Sequence, residues 1–334
     1  MHRRRFLQGA LAAPVAGSFG SQAWAQTQGQ VWPSRNITMI VAFPPGGQAD
    51  LAARPVALAL EKILGKSVVV DNRAGAGGLV GNAVAARAEP DGHTLLMALS
   101  SMIFLPEAER LYDRKPSYEL DQLVPIARVL ADPGVLGVRS DAPWKSVADL
   151  VADAKKRPEA ISYSSSGNYG ASHVPFEMFS RAAGIKLLHV PYRGGGPALT
   201  AFLGSQVDIT AQAPGVINPH ARDGKVRLLA HWGGKPTPEL AGIPTMIELG
   251  YKDVEYYIWA GLFAPKATPP SVISRLRDAM RQAMTDPQIT SVFEKAGSPP
   301  AYMDQPEFAA FVEADAKRLV PVIKSIGRLD EKEK

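Results

Sequence analysis

The sequence predicts an α/β protein of two lobes joined by a two-strand hinge, with a ligand cleft between the lobes. Three observations lead there. Short apolar runs alternate with amphipathic segments past residue 32, the signature of α/β architecture. The alternation breaks off near residue 124 and begins again near residue 147. Two long extended stretches, residues 124–138 and 256–264, bracket the second series. If both stretches cross between lobes, the chain enters lobe 2 and later returns to lobe 1, which suits closure on a ligand. Lobe 1 then comprises residues 33–127 and 260–327, and lobe 2 residues 128–259. Two sequential domains split near residue 130 are the alternative, and periodicity does not separate the two.

The elements follow in order. Residues 37–43 read as a buried strand, Pro44-Pro45-Gly46-Gly47 as a turn, and 50–64 as a helix in which Pro55 predicts a bend. A strand at 68–70, a glycine loop, a helix at 79–87 and a strand at 94–98 come next, and 100–122 is less regular. The stretch 124–138 is extended, interrupted at Asp132-Pro133-Gly134. The second series reads as helix 147–156, strand 161–164, helix 172–183, strand 187–190, helix 196–203, and strands 207–211 and 226–230. A short helix is expected after Pro244. Thr268-Pro269 reads as an N-cap followed by proline at the first helical position. The last helix carries Phe308, Phe311, Val312, Leu319 and Ile323 on one face, with a kink expected at Pro321, and 328–334 is a charged tail.

Composition narrows the chemistry. The 334 residues are 46% hydrophobic and 21% charged, ordinary for a globular protein of about two domains. The absence of cysteine excludes disulfides, thiolate catalysis and iron–sulfur clusters. The six histidines are scattered without ligand spacing, so neither a metal nor a cofactor is expected.

Arg3, Arg4 and Arg5 precede a mild glycine- and alanine-rich stretch ending in Ala23-Trp24-Ala25, an A-x-A cleavage pattern. Residues 1–25 therefore read as an export signal and the product as periplasmic. Arg3-Arg4-Arg5-Phe6-Leu7-Gln8 resembles the twin-arginine pattern, with an ordinary secretory signal as the alternative. The formal net charge is +5, of which those three arginines supply three, so the mature chain carries only two excess positive charges. Nucleic acid is not an expected partner. No other run is apolar and long enough to span a membrane.

Three glycine- or serine-rich turns join a strand to a helix: 44–50, 164–172 and 191–197. Such turns lie at the carboxyl ends of strands, where α/β proteins bind ligands. Glycine lets an anion approach the backbone, and the unpaired N–H groups of the following helix attract it. Asp50 reads as a helix cap. Two imitations fail: Gly75-Ala76-Gly77-Gly78-Leu79-Val80-Gly81 has the wrong spacing for a dinucleotide loop, and Gly65-Lys66-Ser67 lacks the leading glycine of a phosphate loop. Ser164, Ser165 or Ser166 with His173 and Asp208 make a hydrolase triad on paper only, since no G-x-S-x-G elbow exists.

Several motifs taken together resemble one family. They are Pro45-Gly46-Gly47-x-x-Asp50-x-x-x-Arg54, Asp71-Asn72-Arg73-x-Gly75, Glu89-Pro90-Asp91-Gly92-His93 and His189-Val190-Pro191-Tyr192-Arg193-Gly194-Gly195-Gly196-Pro197. Ser165-Ser166-Gly167-Asn168, Gly204-Ser205-Gln206-Val207-Asp208 and Leu262-Phe263-Ala264-Pro265 extend the match over residues 35–327. The chain is similar to the Bug, or tripartite tricarboxylate transporter, family of periplasmic solute-binding receptors.

The resemblance implies a type II-like periplasmic binding fold and a monomeric receptor that performs no chemistry. Such a receptor captures a small organic carboxylate and delivers it to membrane permease subunits. An exported α/β hydrolase and a sensory receptor for a histidine kinase are the alternatives. Ligand contacts are expected at Phe43, Gly47, Gln48, Ala49 and Asp50, at Ser100, at Ser166, Asn168, Tyr169, Ala171 and Ser172, and at Gly194, Asp208 and Gln212. The family turn holds a carboxylate through backbone N–H groups and ordered waters. This chain departs from it at Gln48 and Ala49, where small hydroxyl residues are usual, and in Thr210-Ala211-Gln212-Ala213-Pro214. Those departures bear on the identity of the ligand.

Overall fold

The structure, a computed structural model, describes residues 32–329. The expected export signal and tail residues 330–334 lie outside the described residues. The chain runs β1 (Ile37–Val41), α1 (Gln48–Leu64), β2 (Val68–Asn72), α2 (Leu79–Ala86), β3 (Thr94–Leu99), α3 (Leu105–Leu111) and β4 (Leu123–Pro133). Gly134 alone separates β4 from β5 (Val135–Arg139). Next come α4 (Val147–Lys156), β6 (Ser162–Ser165), α5 (Val174–Ala183), β7 (Leu188–Pro191), α6 (Gly195–Leu203), β8 (Ile209–Gln212), α7 (Pro214–Arg222) and β9 (Val226–His231). The chain closes with β10 (Tyr257–Pro265), α8 (Pro270–Thr285), α9 (Pro287–Ala296), β11 (Met303–Asp304) and α10 (Gln305–Ile326).

Two sheets result. The first has six strands in the order β11-β4-β10-β3-β1-β2, the second five in the order β7-β6-β8-β5-β9. β1 lies parallel between β2 and β3, and its run of Ile37, Met39, Ile40 and Val41 is buried, as a strand covered on both faces requires. β10 returns from the second lobe and pairs antiparallel with β4 from Tyr257↔Pro133 to Pro265↔Leu123. That pairing carries the first sheet as far as Pro133, so the crossing falls at Gly134 and not at residues 127–128. The buried Trp232, just past β9, donates its backbone N–H to Gly134 O between the crossing strands β4 and β5 and accepts Tyr256 N, just before β10, at its own carbonyl.

Each lobe has its own aromatic core. Trp259, Phe263 and Phe308 meet in lobe 1, where Trp259 Nε1 donates to Asp315 at 2.8 Å. Phe176, Phe179 and Trp232 meet edge to face in lobe 2. α8 buries Val272, Leu276, Ala279, Met280 and Ala283 along one stripe, the spacing of an amphipathic helix.

Several local expectations are corrected. The irregular segment 100–122 contains α3. α7 and α9, not foreseen, each begin with proline at the first turn, where its missing N–H costs nothing. α8 begins at Pro270 rather than after a Thr268 cap, because the Thr268 hydroxyl donates to Pro265 O at 2.7 Å. The segment after Pro244 makes a bridge from Thr245 to His231 and one hydrogen-bonded turn that stops at Gly250, whose φ is 91°. α1 and α10 continue through Pro55 and Pro321. At the start of the tail, Leu329 N donates to Tyr112 Oη at 3.0 Å.

Candidate functional site

The lobe 1 wall starts where β1 ends. Gly46, at φ 83°, turns the chain, and Gly47 is the extended N-cap of α1 with no side chain to satisfy the first helical N–H groups. Those of Gln48 and Ala49 have no partner within the helix, and the helix dipole adds partial positive charge. Asp50 does not sit at the cap position. From the first turn its carboxylate takes Gly46 N at 3.2 Å, Arg54 at 2.9 Å and Asn72 Nδ2 at 3.3 Å. It braces the turn and lies outside the cavity lining.

Two turns build the lobe 2 wall. In the first, Ser172 Oγ accepts Ser166 N at 2.8 Å and its hydroxyl donates to Ser166 Oγ at 3.2 Å, so the loop is closed by its own serines. In the second, α6 opens at Gly195 with Gly194 as N-cap and no acid in its first turn. Pro197 lacks an N–H, which leaves the donors of Gly195 and Gly196 at that end. Gln212 Nε2 holds Gly195 O at 3.1 Å and Thr210 Oγ1 at 3.2 Å.

Glycines make the two walls meet. A Cβ at Gly47 would stand 3.4 Å from Gly196 N, and one at Gly196 only 2.7 Å from Pro45 O. The loop at Gly77 makes a second such contact, with Gly167 and Gly170 across the cleft. Its glycines serve close backbone approach between lobes, the signal that the dinucleotide-loop comparison had set aside. The space left between the walls is a cavity of about 20 Å³, room for one water, so the cleft is closed.

Phe43, Gly47, Gln48, Ala49, Ser166, Ala171, Ser172 and Gln212 are brought together around this cavity. The other expected contacts stand elsewhere. Ser100 bonds the buried Tyr256 hydroxyl at 3.1 Å. Asn168 is exposed and borders outer grooves of the interlobe surface. The Tyr169 hydroxyl donates to Gly327 O at 2.7 Å. Gly194 packs on Pro44, and Asp208 accepts the Ser162 N–H and hydroxyl, both at 2.7 Å. Leu99, Gly195, Ala213 and Ile258 line the cavity without having been foreseen. Each sits at a strand end, or just beyond a strand or glycine already singled out.

One further group was missed. Asp132, near the end of β4, is 3% exposed and accepts a hydrogen bond from Gln48 Nε2 and another from the Ser298 hydroxyl. Burial pushes its carboxyl up to about 7, against the opposing pull of those two bonds; Glu239 at longer range adds to the rise. Ser298 Oγ also takes Gly215 N of α7 at 2.9 Å, which links this cluster to lobe 2. The oxygen of the Gln48 amide, Oε1, is buried with no protein donor. A lone acid inside a long apolar extended stretch was the available signal for Asp132.

The triad on paper does not assemble. His173 Nδ1 accepts Tyr169 N at 3.1 Å, Asp208 is held by Ser162, and Ser165 pairs with His189 instead. Among the described residues no group of three or more histidine or acidic side chains is placed to hold a metal ion. No described helix is long and apolar enough to cross a membrane.

Residues 52–328 match the model of the tripartite tricarboxylate transporter family receptor. The chain belongs to that family. BugT of Bordetella pertussis is 32% identical to it over 91% of this chain and 93% of its own. Among solved structures, an R. palustris protein with adipate superposes with a TM-score of 0.82 at 29% identity, covering 89% of this chain and 98% of that one. MatC from Rhodopseudomonas palustris with bound malate superposes with a TM-score of 0.80 at 26% identity, covering 87% and 100%. The fold is therefore the two-lobed α/β fold of periplasmic binding proteins. As a family receptor the chain binds solute rather than transforming it, which sets the hydrolase alternative aside.

Proposed function

We propose that this receptor captures a small organic carboxylate between its lobes outside the cytoplasm and presents it to the membrane permease of a tripartite tricarboxylate transporter. The observation that carries the reading is the convergence of α1 from lobe 1 and α6 from lobe 2, N-terminus first, on one cavity lined by no lysine or arginine. Free N–H groups and two helix dipoles favour an anion there without a committed cation. The adipate and malate held by the two structural neighbours are of the same chemical class. A dicarboxylate is larger than the closed cavity, so entry requires the lobes to part about the Gly134 crossing and β10.

Export through the leader, with cleavage near Ala25, completes the proposal, and the receptor acts as a monomer. Replacing Arg3 and Arg4 together with lysine should stop periplasmic accumulation if the twin-arginine route is used; normal accumulation would assign a general secretory signal. Mass spectrometry of the acid released on denaturing freshly purified protein tests the ligand class directly. Release of a carboxylic acid in near-equimolar amount supports the reading, and release of a sugar or polyamine contradicts it.

A further inference from the structure

We propose that Gln48 and Asp132 form a specificity-determining pair in which the charge of Asp132 decides what Gln48 offers the ligand. With Asp132 ionised, the Gln48 NH2 is held to the carboxylate and its carbonyl oxygen is left for the cleft. The bound acid must then supply a donor, a hydroxyl or an ammonium group beside its carboxylate. With Asp132 protonated, the acid O–H donates to the Gln48 carbonyl, the amide turns over, and its NH2 meets a ligand carboxylate oxygen. The assignment rests on the carboxylate-receptor reading and names the substrate class within it: hydroxy or amino acids above neutrality, plain dicarboxylates below.

The geometry supports this at three points. Gln48 is the first residue of α1, is 5% exposed and lines the cavity. Its Nε2 is committed to Asp132 while its Oε1, also buried, has no protein donor. A primary amide has one donating and one accepting end, so fixing one end fixes the other. A buried acceptor with no partner selects for a ligand that provides one.

The surroundings of Asp132 leave its charge free to change. Gln48 of α1 and Ser298 of the loop before β11 bond it, and Glu239 of the turn Pro238–Leu240 is the charged group acting on it. From β10, Ile258 is its apolar partner in the strand pairing. Burial places its titration at about 7, so both forms are populated near neutrality.

Matched acids differing by one hydroxyl test the pair: succinate with malate, and glutarate with 2-hydroxyglutarate. Kd is measured by calorimetry at about pH 6.5 and about pH 8.5, a range in which all four acids stay largely ionised. The native chain should prefer the hydroxylated acid by roughly tenfold at the higher pH, and that ratio should shrink at least about threefold at the lower pH. Asp132→Asn should show one ratio at both pH values. Gln48→Met should bind the two acids of each pair alike at both pH values. A pH-independent ratio in the native chain, a pH trend that survives in Asp132→Asn, or binding of plain acids alone overturns the pair and leaves the receptor reading standing. No response to any acid by folded protein overturns the receptor reading and the pair with it.

Discussion

The turn that opens α1 and the turn that precedes α5 both follow a strand end and both contain glycine, the first with Gln48 and Ala49 after it and the second with serines on either side. They direct their hydrogen bonds differently. At Gly46-Gly47-Gln48 the backbone donors face the cleft end of a helix without a capping side chain, and the one long polar side chain is tied to Asp132 behind it. At Ser166–Ser172 the hydroxyls satisfy the loop's own groups, so a segment richer in donors offers fewer of them. Composition tells how many donors a turn has. Only the fold tells which are already used.

Gly47→Val should have the largest effect on the open donors of the α1 turn. Its backbone is extended, at φ −101°, so valine is tolerated locally, but a branched side chain there meets Gly195 and Gly196. Binding should fall by about a thousandfold or more, ~4 kcal/mol, with melting little changed. Retained affinity in calorimetry would place the ligand away from the glycine contact.

Asp132→Asn tests the committed side chain next. A free aspartate loses its proton near pH 4, whereas Asp132 in the fold does so at about 7. Between those values the folded chain keeps a proton that the unfolded chain has lost, so its stability falls as pH rises. The variant should flatten that fall, which is on the order of 2–4 kcal/mol across the window. Urea unfolding at about pH 5 and pH 8 reads it, and equal slopes in both proteins would show that Asp132 ionises freely in the fold.

Smaller effects sharpen the other side. Ser166→Ala should cost about 1 kcal/mol of stability and less than that in affinity, because its hydroxyl serves the loop. A larger loss of affinity than of stability would mean that the hydroxyl meets the ligand. Asn168→Ala, at an exposed position, should change affinity by less than about 0.5 kcal/mol. A loss of tenfold or more by titration would return Asn168 to the site.

Much of this architecture was legible in the chain. The strand–glycine–helix unit at β1 and α1 is plain because an apolar run buried on both faces ends in two residues without side chains. The restart of the alternation located the second lobe. α7 was not read from the chain, although Pro214 stands at its first turn, where proline starts a helix readily. Asp286-Pro287 was a start signal for α9 that went unread. In the site, the glycine turns could be found by type and spacing. Type and spacing did not single out Asp132, Ser298 and Ile258: Ile258 comes to the cavity through the β4–β10 pairing, and Asp132 and Ser298 act on it through Gln48 and through the contact with Gly215 of α7. Asp208 and Tyr169 fall outside this cavity for the converse reason: they are polar side chains near a turn whose hydrogen bonds go to Ser162 and to Gly327 O.

In the proposed function the closed cleft is an anion site made of backbone donors. Its most direct test is thermal melting of the purified mature chain against a panel of aliphatic dicarboxylates, tricarboxylates, acidic amino acids, aromatic acids, sugars and polyamines. At about 100 times its Kd the right ligand adds ~2.7 kcal/mol, a rise of roughly 4 °C for a protein of this size. At least one carboxylate should give that rise, and sugars and polyamines none. Stabilisation by a sugar or polyamine, with no response to any carboxylate, would contradict it.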